Sequence, residues 1–121
     1  MKVLIVESDP FLGKLWKRHL ERSGKQVTLL TTQEQAVAAL SQDTFSILVL
    51  DLLLDAGSSA IAVADYAGFR RPDMKVIFVT RETFFSDGSI FNHLSNACAM
   101  VQPDTAPEDL AAVVDHYATR G

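Results

Sequence analysis

Glu7-Ser8-Asp9 closes the first apolar run of the chain, and Asp51 lies inside the apolar stretch 45–54. Thr80 ends a third such run, and Gln102-Pro103 follows a fourth. Two or three acids and a hydroxyl converging on one rim would suit a hard divalent cation. Mg²⁺ takes oxygen ligands, often one or two carboxylates together with water and a phosphate. A metal and a hydroxyl beside a carboxylate point to phosphoryl transfer, with the metal and Thr80 neutralising the phosphoryl oxygens. Asp51 is the centre of this set. A carboxylate in an apolar run is costly to bury without partners, so Asp51 is either paired or placed at a strand mouth for chemistry.

For these residues to meet, the elements that carry them must end on one rim. Residues 2–7 form a short apolar, β-branched run and predict a strand. Asp9-Pro10 then predicts a capped helix start. In that helix Leu12, Leu15, Trp16 and His19, with Leu20, share the inward face. Lys14, Lys17, Arg18 and Arg22 lie on the other, and Gly24 supplies a left-handed end. Gln26 to Leu30 reads as a second strand. Thr32 caps a helix running to about Gln42, with Gln35 completing a capping box. The stretch 45–54 is continuously apolar, as suits a strand buried on both faces. Ser59 to Arg70 predicts a third helix with Ile61, Val63, Ala64 and Ala67 inward, and 75–80 a fourth strand. In 81–97, Ser86-Asp87-Gly88-Ser89 marks a turn or helix start, and Ile90, Phe91 and Leu94 one face of a short fourth helix. A small-residue strand spans Ala97 to Val101. Thr105-Ala106-Pro107-Glu108 opens the last helix with a capping box, and Leu110, Val113, Val114 and Tyr117 face inward. Five strands alternating with five helices predict an α/β fold, a five-stranded parallel sheet with helices on both faces. In such sheets ligands gather at the carboxyl ends of the strands, where strand order switches. Those ends carry Glu7, Ser8, Asp9, Asp51, Thr80 and Gln102.

The 121 residues fit one domain, 1–121, with no linker and no effector domain expected after it. A net charge of −4 without a basic tail speaks against direct nucleic-acid binding. One cysteine, Cys98, excludes an intrachain disulfide and a multi-cysteine metal site, and fits a reducing compartment. The N-terminal apolar stretch is too short for a signal peptide or membrane span, so a cytoplasmic protein is expected.

Val3-Leu4-Ile5-Val6-Glu7-Ser8-Asp9-Pro10, Leu50-Asp51, Phe78-Val79-Thr80 and Gln102-Pro103 together resemble the receiver domain of two-component response regulators, over essentially the whole chain. The resemblance implies a (βα)₅ flavodoxin-like fold. It implies a signalling phosphoacceptor and not an enzyme beyond self-catalysed phosphotransfer and dephosphorylation. Asp51 takes the phosphoacceptor position, Thr80 that of the hydroxyl, and Gln102 that of a lysine before a proline. Mg²⁺ would be held by Glu7, Asp51, the backbone carbonyl of Leu53 and, weakly, Ser8. The Gln102–Pro103 bond would be cis. The implied partners are a sensor histidine kinase or histidine phosphotransferase, a downstream protein, and a second copy through the fourth-helix, fifth-strand, fifth-helix face.

The departures are chemical. Ser8 replaces an acid, and Gln102 brings no positive charge to a phosphoryl oxygen, which about halves the strength of that contact. Ala99 stands where the family carries an aromatic, and Asp55 where it carries a proline. Asp9 is read as a helix cap, His19 as a packed side chain, His93 and His116 as surface residues, and Cys98 as a small buried hydrophobe. Phe84 and Phe85 fill the core or offer a partner contact. The expected function is a stand-alone receiver accepting a phosphoryl group on Asp51 and signalling through protein contacts. The alternatives are a phosphorylation-independent docking or dimerisation module, and an unrelated flavodoxin-like enzyme. The glycine-free loop after strand one disfavours the last.

Overall fold

The computed structural model describes residues 1–52, 54, 59–80 and 96–118. Five strands, β1 (Lys2–Val6), β2 (Gln26–Leu30), β3 (Ile47–Asp51), β4 (Lys75–Val79) and β5 (Ala97–Val101), form one parallel sheet in the order β2-β1-β3-β4-β5. Four helices are found among the described residues: α1 (Pro10–Arg22), α2 (Gln33–Gln42), α3 (Ala60–Arg70) and α4 (Pro107–Ala118). The short helix expected after β4, with Phe84, Phe85 and His93, lies outside the described residues, as do Leu53 and Asp55.

Strand periodicity divides the core in two. Leu4, Val6, Leu48, Leu50, Val76 and Phe78 face α2 and α3, against Ala36, Leu40, Val63, Ala64 and Ala67. Val3, Ile5, Ile47, Val49, Ile77 and Val79 face the other way, against Trp16 and Leu20 of α1 and Leu110 and Val114 of α4. Both faces of the central strands β1, β3 and β4 are therefore buried, which explains why β3 reads as an unbroken apolar run rather than an alternating one.

The helix starts follow their residues. Asp9 Oδ1 accepts from the Phe11 and Leu12 N–H groups, Thr32 Oγ1 from Gln35 N–H, and Ser59 Oγ from Ala62 N–H. The return contact of the Gln35 box is displaced by one residue, since Gln35 Oε1 accepts from Thr31 N–H. In α4, which starts at Pro107, the Ala106 carbonyl takes the Asp109 and Leu110 N–H groups, so the cap position falls on Ala106, one residue after the Thr105 expected. Gly24, at φ 92°, ends α1 in the left-handed region.

Two inward assignments fail for one reason. Leu15 and Ile61 are 48% and 42% exposed. The stripes that touch the sheet are Gly13-Trp16-Leu20 in α1 and Ala60-Val63-Ala64-Ala67 in α3. Small residues allow the helix backbone to approach closely and roll the neighbouring large side chain outward. A Cβ on Gly13 would stand 2.7 Å from Leu29 Cδ1. Val113 and Tyr117 are half-buried rather than core, and Cys98 is half-buried with its thiol donating to the Val76 carbonyl at 3.5 Å.

Candidate functional site

Sheet order makes the site. β1 and β3 are neighbours in space while their flanking helices leave for opposite faces, so a crevice opens between their carboxyl ends. Val6 pairs with Leu50, so Glu7 and Asp51 follow side by side. Both are odd-numbered, like Ile5 and Val49, whose side chains face α1 and α4. The sequence therefore delivers two carboxyl groups to one point on one face of the sheet.

They interact directly. Glu7 is only 3% exposed and hydrogen-bonds Asp51. Burial, then the hydrogen bond to Asp51 and its charge, raise the Glu7 carboxyl to about 8, while the Ser8 and Asp9 N–H groups pull the other way. Glu7 Oε2 is buried with no hydrogen-bond partner among the described residues. Ser8 is half-buried, and its hydroxyl donates to Asp51 Oδ2 at 3.3 Å. Asp51, the last residue of β3, is half-buried at the strand mouth.

The other expected residues surround this pair at different depths. Thr80 follows Val79, the pairing partner of Asp51, and is buried with its N–H on the Val101 carbonyl at 3.0 Å. Gln102 follows that same Val101 on the same rim and is exposed, with its carbonyl taking the Thr105 N–H at 3.0 Å. The Gln102–Pro103 bond is trans, since no cis peptide occurs among the described residues. Asp9 is exposed and spends Oδ1 on its helix N–H groups.

A hard cation fits what is present at this crevice. Two carboxyl groups abut, one keeps a proton far above the carboxylate range, and one oxygen of that carboxyl is buried without a partner among the described residues. These are the marks of a negative site short of positive charge. Among the described residues no group of three or more His, Cys, Asp or Glu is assembled, and those at the crevice offer a cation the two carboxylates of Glu7 and Asp51.

No family model matches the sequence. Solved structures do match it. A response regulator receiver domain protein (CheY-like) of Methanospirillum hungatei JF-1 superposes with a TM-score of 0.88 at 24% identity, covering 98% of this chain and 94% of that one. The chain has the receiver-domain fold. The N-terminal domain of a response regulator/sensory box/GGDEF three-domain protein of Carboxydothermus hydrogenoformans gives 0.86 at 22% identity, covering 99% and 95%. The response regulator TrrA of Thermotoga maritima, solved in complex with Mg²⁺ and BeF, gives 0.82 at 20%, covering 96% and 97%. The (βα)₅-type parallel sheet expected from the sequence is thereby borne out over the described elements. No helix of the described residues is long and apolar enough to cross a membrane.

Beside the receiver rim the structure adds a surface that helical spacing alone obscured. Phe11 is 84% exposed, and with Leu15 it heads a solvent-facing stripe of α1 completed by Lys14, Arg18 and Arg22. The basic half was legible in the sequence. The apolar half was not, because Gly13 and Trp16 take the inward positions.

Proposed function

We propose that this chain is a response regulator receiver in two-component phosphorelay signalling, accepting a phosphoryl group on Asp51 and passing the signal through protein contacts. The observation that supports it best is the Glu7–Asp51 carboxyl pair at the β1/β3 crevice, with Glu7 Oε2 buried and unpartnered among the described residues. An Asp51 oxygen attacks the phosphorus of a phosphohistidine on a sensor kinase or histidine phosphotransferase. The new P–O bond of the acyl phosphate forms as the P–N bond breaks, and the imidazole leaves. Glu7 and Asp51, with the Leu53 carbonyl implied by the resemblance, would hold Mg²⁺, which when bound neutralises charge on the transferring group. Thr80 and Gln102 are assigned to the phosphoryl oxygens, Gln102 as a neutral donor. The exposed Phe11-Leu15 and basic stripe beside the rim suits a protein donor, and a homodimer through the β5–α4 side is part of the same reading. We place the protein in the cytoplasm as a signalling module, with no membrane or nucleic-acid contact of its own.

The test is direct. With Mg²⁺ and acetyl phosphate, mass spectrometry should show one phosphoryl group on the wild type and none on Asp51→Asn. A wild type that gains nothing across a wide Mg²⁺ range removes the phosphoacceptor reading. A second reading then takes its place, a phosphorylation-independent docking module. It is favoured by the neutral Ser8 in place of an acid and by the absence of a charge at Gln102.

A further inference from the structure

Ser8 stands where a second acid is expected, and the simplest account makes it a poor cation ligand. Its geometry says more. A serine hydroxyl has one proton to give, and here that proton goes to Asp51 Oδ2 at 3.3 Å. Glu7, the preceding residue, meets the same carboxyl group from the β1 end. Ser8 follows the end of β1 and precedes the α1 cap Asp9, whose N-terminal turn is fixed by two hydrogen bonds. Its backbone is thus held from both sides, and its side chain has a defined reach onto Asp51.

We propose that Ser8 is a positioning residue for Asp51, holding Oδ2 and with it the plane of the carboxylate that meets a phosphodonor. This rests on the reading of Asp51 as phosphoacceptor. A carboxylate at the end of a strand has a broad terminal torsion and two equivalent oxygens. Committing one of them to a hydroxyl fixes the plane of the group before the donor arrives, the kind of preorganisation from which orientation gains derive. At 3.3 Å the contact is long for O–H···O, as such contacts often are before a reacting group is bound. An acid at this position would repel Asp51 instead of donating to it, so serine supplies a function that the acid cannot.

Three variants test this on the intact chain: Ser8→Ala, Ser8→Thr and Ser8→Asp. Phosphoryl uptake from acetyl phosphate at saturating Mg²⁺ should fall about tenfold in Ser8→Ala, the worth of one hydrogen bond to a charged group, and recover in Ser8→Thr. Mg²⁺ affinity by calorimetry should stay within about twofold in Ser8→Ala and rise in Ser8→Asp. A Ser8→Ala protein that labels at the wild-type rate overturns the proposal. So does one whose Mg²⁺ affinity falls in step with its rate, because Ser8 is then a ligand. If the wild type does not label at all, the phosphoacceptor reading fails, and the ¹³Cγ resonance of Asp51 decides the contact separately. It should move in Ser8→Ala and return in Ser8→Thr, and an unmoved resonance refutes the hydrogen bond.

Discussion

Glu7→Gln should make the Mg²⁺-free protein more stable at alkaline pH while abolishing its response to Mg²⁺. The wild-type carboxyl is held at about 8 against an ordinary 4.5. Between those values the folded protein keeps a proton that the unfolded chain has released. The folded state therefore binds more protons than the unfolded state, and stability falls as pH rises through the window. At about 1.4 kcal/mol for each pH unit, the whole window is worth at most about 5 kcal/mol, a large part of the stability of a domain this size. Glutamine keeps the shape and removes the ionisation. The variant should match the wild type near pH 4.5 and gain progressively to pH 8.5. Two causes should separate. Asp51→Asn removes the hydrogen bond and charge that Asp51 places on Glu7, but leaves the burial, so it should recover only part of the gain. The double variant should gain less than the sum of the singles, because the groups are in contact.

Urea unfolding at pH 5, 7 and 8.5, each with and without Mg²⁺, gives all the terms. Added Mg²⁺ should stabilise the wild type by mass action and leave Glu7→Gln unmoved. The reasoning is refuted if the stability difference between wild type and Glu7→Gln is flat across this pH range without Mg²⁺. A flat difference would mean that Glu7 loses its proton at the same pH folded and unfolded.

Asp9→Ala should cost about 1 kcal/mol in urea unfolding through loss of the α1 cap, with Mg²⁺ affinity by calorimetry unchanged, since the carboxylate serves the helix. Gly24→Ala, at φ 92°, should lower stability by about 1–2 kcal/mol with no effect on the rim, read by thermal melting. Lys25 is buried, with its amine 2.5 Å from Asp115 Oδ1 and 3.0 Å from Ser23 Oγ. Asp115→Ala should cost about 1–3 kcal/mol, more than Lys25→Met, because only the former strands a buried cation; the opposite order in denaturant melts would contradict this.

Much of the fold was legible because its central strands are buried on both faces. Runs such as Val3-Leu4-Ile5-Val6 and Ile47-Leu48-Val49-Leu50 admit few other roles, and Asp9, Thr32, Ser59 and Gly24 punctuate the chain between them. Helix orientation was less legible. Large apolar residues catch the eye, yet contact distance is set by small ones, so Gly13 and Ala60 displaced Leu15 and Ile61 from the sheet. At the site, identity and address were readable for Glu7, Asp51 and Thr80. Their interactions were not. That Ser8 would donate to Asp51 depends on a side-chain torsion, and that Glu7 would keep a proton depends on burial, neither of which has a sequence period.

The two departures at the rim have opposite signs, and this bears on whether it can still work. Serine in place of an acid removes one negative charge; glutamine in place of a lysine removes one positive charge. Glu7 and Asp51 remain, and a divalent cation would neutralise the pair as fully as it would the larger charged set implied by the resemblance. Long-range balance is thus preserved, while short-range contacts come from neutral donors, with Ser8 on Asp51 as the first of them. Such contacts are weaker than ion pairs and less sensitive to salt. A rim built this way would react more slowly than one with a lysine and an acid pair. Its catalytic deficit should also shrink when Gln102→Lys and Ser8→Asp are introduced together rather than singly, since either alone leaves the rim with an uncompensated charge.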